Sequence, residues 1–125
     1  MSNKILVIDD NNEVRDMLHD LLRLKGYDVE TAETGTIGLE KLQSASPDLV
    51  ICDIAMPEKD GFQVLEEIRA TPNHSDVPFI FLTASMIRSD EEKIIKTSAS
   101  GYLMKPYESR KLFSMLEILL KKDDK

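Results

Sequence analysis

Apolar positions recur along this chain in two alternating rhythms. Five short runs rich in β-branched residues, at 5–8, 29–32, 49–54, 79–82 and 102–104, read as strands. Between them the spacing turns helical. Val14, Met17, Leu18, Leu21 and Leu22 fit i, i+3, i+4, i+7 and i+8 and predict a first helix ending near Gly26. Ile37, Leu39 and Leu42 give a weaker second helix between Gly35 and the Ser44-Ala45-Ser46-Pro47 turn. Asp60-Gly61-Phe62-Gln63 has the form of a capping box, with Asp60 as N-cap and Gln63 three positions on, and opens a third helix through Leu65 and Ile68. Ser89 to Glu92 repeats that logic ahead of Ile94 and Ile95, placing a short fourth helix at about 89–98. Leu112, Met115, Leu116, Leu119 and Leu120 form the stripe of a last helix, from about Glu108 to Lys121, and residues 122–125 are expected to fray.

Strict alternation of strand and helix, (βα)5, predicts an α/β fold. Its parallel sheet is five-stranded, doubly wound and covered on both faces. No linker, repeat or low-complexity stretch divides the 125 residues, so 1–125 read as one domain. Composition narrows the function. With 16 Lys+Arg against 23 Asp+Glu the net charge is −7, a field that repels phosphate backbones and argues against direct nucleic-acid binding. The single cysteine, Cys52, excludes an internal disulfide framework and a multi-cysteine zinc site, and points to a reducing, cytoplasmic setting. Apolar runs fall far short of the ~20 residues that span a bilayer, so no membrane partner is expected.

Ligands of open α/β sheets bind at the carboxyl ends of strands, beside the switch point in strand order. Asp9-Asp10 follow the first strand and Asp53 closes the third. If the order is 2-1-3-4-5, those strands are neighbours at about 4.8 Å and the acids share one crevice. Like charges that close raise one another's pKa values unless a cation neutralises them, and a hard divalent ion such as Mg2+ is the simplest answer. Thr83 with Ala84 and Ser85 at the fourth strand, and Lys105-Pro106 at the fifth, add a hydroxyl, backbone N–H groups and an ammonium. Acids and metal on one side and donors on the other suit a phosphoryl group. No G-x-S-x-G elbow is present, and His19 and His74 lie away from strand ends, as surface positions.

These pieces, in this order, resemble the response-regulator receiver domains of two-component signalling, the CheY-like family whose prototype is the chemotaxis regulator. Lys4 to Asp10, Asp53-Ile54-Ala55-Met56-Pro57 with Asp60-Gly61, Leu82-Thr83-Ala84, and Gly101 to Pro106 carry the resemblance over nearly the whole chain. It implies that the 2-1-3-4-5 order holds. It implies that Asp53 is the phosphoacceptor, taking a phosphoryl group from a phosphohistidine of a sensor kinase or phosphotransfer protein. Asp10, Asp53 and the Ala55 backbone carbonyl would ligate Mg2+ (or Mn2+), with Asp9 acting mostly through water or hydrogen bonds. Lys105, Thr83 and the Ala84 amide would hold phosphate oxygens, and Pro106 would follow a cis peptide. Thr83 moving inward and Tyr102 rotating would reshape the face of the fourth helix, fifth strand and fifth helix toward an unidentified output protein. Such a protein is a signalling switch, not an enzyme acting on other substrates, and is expected to be a monomer or weak homodimer.

Ala55 offers no side chain to orient a water for fast self-dephosphorylation, and Ser98 stands where the family often has Gly. The Met1-Ser2-Asn3 start reads as a native N-terminus, and the chain as a diffusible adaptor or one module of a larger regulator. Two other readings compete. A receiver-like scaffold that takes no phosphate would be expected to lack an acid or the lysine. A flavodoxin-like FMN carrier would need a Ser/Thr/Gly-rich loop where Asp9-Asp10-Asn11-Asn12 stands. Ile87, Ile95, Phe113 and Leu120 are either a partner surface or, as favoured here, mostly core.

Overall fold

In a computed structural model, which describes residues 3–84, 92–94, 96–105 and 108–121, strands and helices alternate. The elements are β1 (Lys4–Ile8), α1 (Asn12–Leu24), β2 (Asp28–Ala32), α2 (Gly35–Ala45), β3 (Leu49–Asp53), α3 (Gly61–Arg69), β4 (Phe79–Thr83), β5 (Gly101–Met104) and a C-terminal helix (Ser109–Lys121). The five strands are all parallel, in the order β2-β1-β3-β4-β5. The expected order and strand positions therefore hold, with ends shifted by one residue.

The pleat explains why the central strands read as unbroken apolar runs. Successive side chains point to opposite faces, and both faces are covered. Leu6, Ile8, Val50, Cys52, Phe79 and Phe81 meet Leu42 of α2 and Val64, Leu65 and Ile68 of α3. Ile5, Val7, Leu49, Ile51, Ile80 and Leu82 meet Leu18 and Leu22 of α1 and Leu112, Leu116 and Leu120 of the C-terminal helix. Leu120 is thus core, and Phe113 is partly buried against the same layer. Ile87 and Ile95 lie outside the described residues. The edge strands β2 and β5 are less buried than the three between them.

The starts of α1, α2 and α3 have a local cause. The Asn11 side chain accepts the Val14 N–H, and the Thr34 hydroxyl accepts the Ile37 N–H. Asp60 and Gln63 form the expected capping box, each side chain taking the other's backbone N–H at 2.9 Å. Gly26, at φ +95°, carries the chain out of α1 in a conformation that a side chain would oppose. Of the predicted fourth helix, 92–94 are helical and 89–91 and 95 lie outside the described residues. Residues 96–98 leave the helix earlier than expected. The Thr97 hydroxyl donates to the Ile94 carbonyl at 2.7 Å and accepts the Ala99 N–H, closing the turn.

Candidate functional site

The carboxyl ends of β1 and β3 lie side by side, with Ile8 opposite Cys52, so the residues that follow them converge. One carboxylate oxygen from each of Asp9, Asp10 and Asp53 lies within 4.8 Å of the others. Asp9 is fully buried, Asp53 is 6% exposed and Asp10 faces solvent. The one cation that pairs with these carboxylates among the described residues comes from the end of β5. Lys105 Nζ lies 3.1 Å from Asp9 Oδ2 and 3.7 Å from Asp53 Oδ1. Three acids against one ammonium leave a surplus of negative charge.

That surplus is felt at Asp53. Burial, then repulsion from Asp9, raise its carboxyl from the ordinary 3.8 to about 6, with Asp10 adding to the rise. Lys105 and a hydrogen bond from the Ala55 backbone pull the other way without cancelling it. Hard oxygen donors carrying excess negative charge, clustered at this spacing, fit a divalent cation such as Mg2+. The set offers no soft ligand: the Cys52 thiol is buried on the core side, held well above its ordinary pKa by desolvation and the neighbouring Asp53, and donates to the Asp53 carbonyl at 3.3 Å.

Backbone packing holds the acids at this edge. The Asp9 N–H donates to Ala32 O and the Ile54 N–H to Leu82 O, extending the sheet one residue past β1 and β3. The Gly61 N–H returns to Ile54 O at 2.9 Å, folding the loop after Asp53 onto the start of α3. A side chain at Gly61 would stand 2.5 Å from the Asp53 carbonyl oxygen, so only glycine lets α3 begin this close.

The remaining sequence candidates lie on the same edge. Thr83, buried, ends β4, and its carbonyl accepts the Lys105 N–H at 2.7 Å, tying the ends of β4 and β5 together. Ala84 follows it, exposed. Ala55 is also exposed, two residues beyond Asp53. Tyr102, opposite Phe81 on β5, is half-buried against the layer under α2 and α3. Pro106 lies outside the described residues. His19 and His74 are each partly buried, and neither belongs to the acid cluster.

Two polar residues at this edge carry no chemical signature in the sequence. The Asn11 N–H donates to Asp9 Oδ1 at 2.9 Å, and Arg15 Nη1 donates to the Asp9 carbonyl at 2.8 Å. A hint was available for Arg15. It sits in the opening turn of α1, where the helix dipole favours acids over cations.

Comparisons with known proteins agree with this geometry. The family model described as the response regulator receiver domain matches residues 5–117. The response regulator MprA of Mycobacterium ulcerans is 36% identical over 122 residues, covering 98% of this chain and 52% of that protein. This chain thus spans about half the length of the curated relatives it matches. Among solved structures, the chemotaxis protein CheY4 of Vibrio cholerae superposes with a TM-score of 0.90 at 31% identity, over 96% of this chain and all of that one. A response regulator receiver domain protein from Clostridium thermocellum gives 0.88 at 30% identity, over 97% and 96% of the two chains.

Proposed function

This chain belongs to the response regulator receiver family, a family of signalling switches, and from that premise we propose that Asp53 is its phosphoacceptor. An Asp53 carboxylate oxygen attacks the phosphorus of a phosphohistidine on a sensor kinase or phosphotransfer protein. The phosphorus–nitrogen bond breaks, its electron pair stays on the imidazole, and an acyl phosphate forms on Asp53. The observation that carries this reading is the cluster of Asp9, Asp10 and Asp53 with Lys105 beside it at the switch point of the sheet.

Transfer through a loose transition state asks for positioning and charge neutralisation. Mg2+, or Mn2+ in its place, would be held by the Asp10 and Asp53 carboxylates and the Ala55 carbonyl, with Asp9 reached through water, and when bound neutralises phosphoryl oxygens. Lys105, now on Asp9 and Asp53, exchanges part of that contact for a phosphoryl oxygen. The Thr83 hydroxyl and Ala84 N–H take the others. Thr83 drawn inward opens space for Tyr102, and the surface around β5 changes to suit a partner. That is a two-state element biased by phosphate contacts.

The chain then acts as one cytoplasmic receiver unit, 1–125. It promotes only its own phosphorylation and dephosphorylation, works as a monomer or weak homodimer, and signals to a protein or attached domain. Intact mass after incubation with acetyl phosphate and Mg2+ tests the reading. A single labile phosphoryl adduct in the parent, absent from Asp53→Asn, is the expected result. No adduct in either, with beryllofluoride also leaving the amide spectrum unchanged, rejects phosphoacceptance and favours the scaffold.

A further inference from the structure

Asp10 differs from its two neighbours in what can hold it. Its side chain is exposed, so packing does not fix its direction, and its aim follows from the peptide that precedes it. That peptide is gripped from α1. Arg15 Nη1 donates to the carbonyl of Asp9, the oxygen of the Asp9–Asp10 peptide, at 2.8 Å. Its other terminal nitrogen, Nη2, donates to the Asn12 side chain. The Arg15 backbone N–H bonds the Asn11 carbonyl at 3.0 Å, so the residue holding the fork is itself anchored in the helix.

The rest of Asp9 is equally committed. Its N–H goes to Ala32 O at 3.1 Å, its Oδ1 accepts the Asn11 N–H at 2.9 Å, and its Oδ2 accepts Lys105 Nζ at 3.1 Å. With these three contacts, the Arg15 bond fixes the last polar group of Asp9 and with it the plane of the following peptide. Resting on the acid-cluster reading above, we propose that Arg15 is a positioning residue for the divalent-cation site. Its planar fork, spanning the Asp9 carbonyl and Asn12, keeps the Asp10 carboxylate turned toward Asp53. An ammonium cannot span two acceptors in that fixed geometry, so lysine is a poor substitute.

Direct Mn2+ binding, followed by the electron paramagnetic resonance of the free ion, tests the role without any turnover. Arg15→Ala should bind Mn2+ about tenfold more weakly, the loss typical when a partner that orients a ligand is removed. Arg15→Lys should lose nearly as much, and Asn12→Ala, which frees half of the fork, should lose less. At saturating Mg2+ the phosphorylation rate should stay within about twofold of the parent, because the groups that hold the phosphoryl oxygens are untouched. A helix staple alone would lower the melting temperature of all three variants and leave Mn2+ affinity unchanged, and that outcome overturns the proposal. If Arg15→Ala does not fold, Arg15→Lys decides by the same measure. A parent that binds no Mn2+ overturns the cation site and this inference with it. A parent that binds Mn2+ but takes no phosphoryl group overturns the phosphoacceptor and leaves Arg15 standing.

Discussion

The two ends of the sheet use buried charge in opposite ways. At the amino ends of the strands two charged side chains, Asp48 and Arg69, are matched to nearby donors and acceptors. Asp48 Oδ2 accepts the Lys4 N–H at 2.7 Å, and the Asp48 N–H returns to Lys4 O at 2.8 Å. Arg69, at the end of α3, donates to the Ser75 and Val77 carbonyls and to both the hydroxyl and carbonyl of Ser98. Burial costs its guanidinium some basicity, and Asp76 offsets part of that cost. At the carboxyl ends three acids gather around one lysine, and repulsion between them is left standing. Matched charge stitches loops together; unmatched charge at the opposite edge is local frustration that a ligand can relieve.

The largest test of that contrast falls on the stitched end. Arg69→Ala leaves the Ser75 and Val77 carbonyls and both the hydroxyl and carbonyl of Ser98 without this donor, and should cost about 2–4 kcal/mol in urea denaturation. Mn2+ affinity should not change, and a parallel fall in both would mean the two ends are not separable. On the frustrated end the sign reverses. Asp53 binds its proton more tightly folded, near pH 6, than at the ordinary 3.8, so rising pH through that window removes stability from the metal-free parent. Asp53→Asn should therefore be more stable than the parent at pH 7 by roughly 1–2 kcal/mol, allowing for solvent screening at the crevice mouth. The gain should vanish below about pH 4 and shrink when Mg2+ is added. Equal stability at pH 7 without metal would contradict the frustration argument. The smallest effect belongs to an acid on the same edge whose charge is already used: Asp60→Ala, stripping the α3 cap, should destabilise by about 1 kcal/mol in thermal melts.

The sequence made the architecture legible because both faces of the sheet are covered, so the central strands appear as unbroken apolar runs with acids or Thr83 at or just beyond their ends. α2 was faint for a definable reason. Gly35 and Gly38 supply two of its three buried positions, beside Leu42, and a side chain at Gly38 would collide with Ile8, so close packing replaced much of the apolar stripe that marks α1. The acid cluster was legible residue by residue, since each member sits at a strand end. Its supports were not. Arg15 bonds the Asp9 carbonyl and Asn11 offers Asp9 only its own N–H, and a contact through the backbone leaves no trace in side-chain pattern.

Cys52 has a practical consequence. It is fully buried in the middle of the sheet, its thiol turned to a backbone oxygen and resistant to ionisation. An alkylating reagent meets that sulfur only when the central strands part. The rate of its labelling is therefore a clock for opening of the sheet's most interior strand. A cysteine introduced at exposed Ile118 would react at once and leave that clock undisturbed, so one molecule can carry a surface dye and an internal timer together.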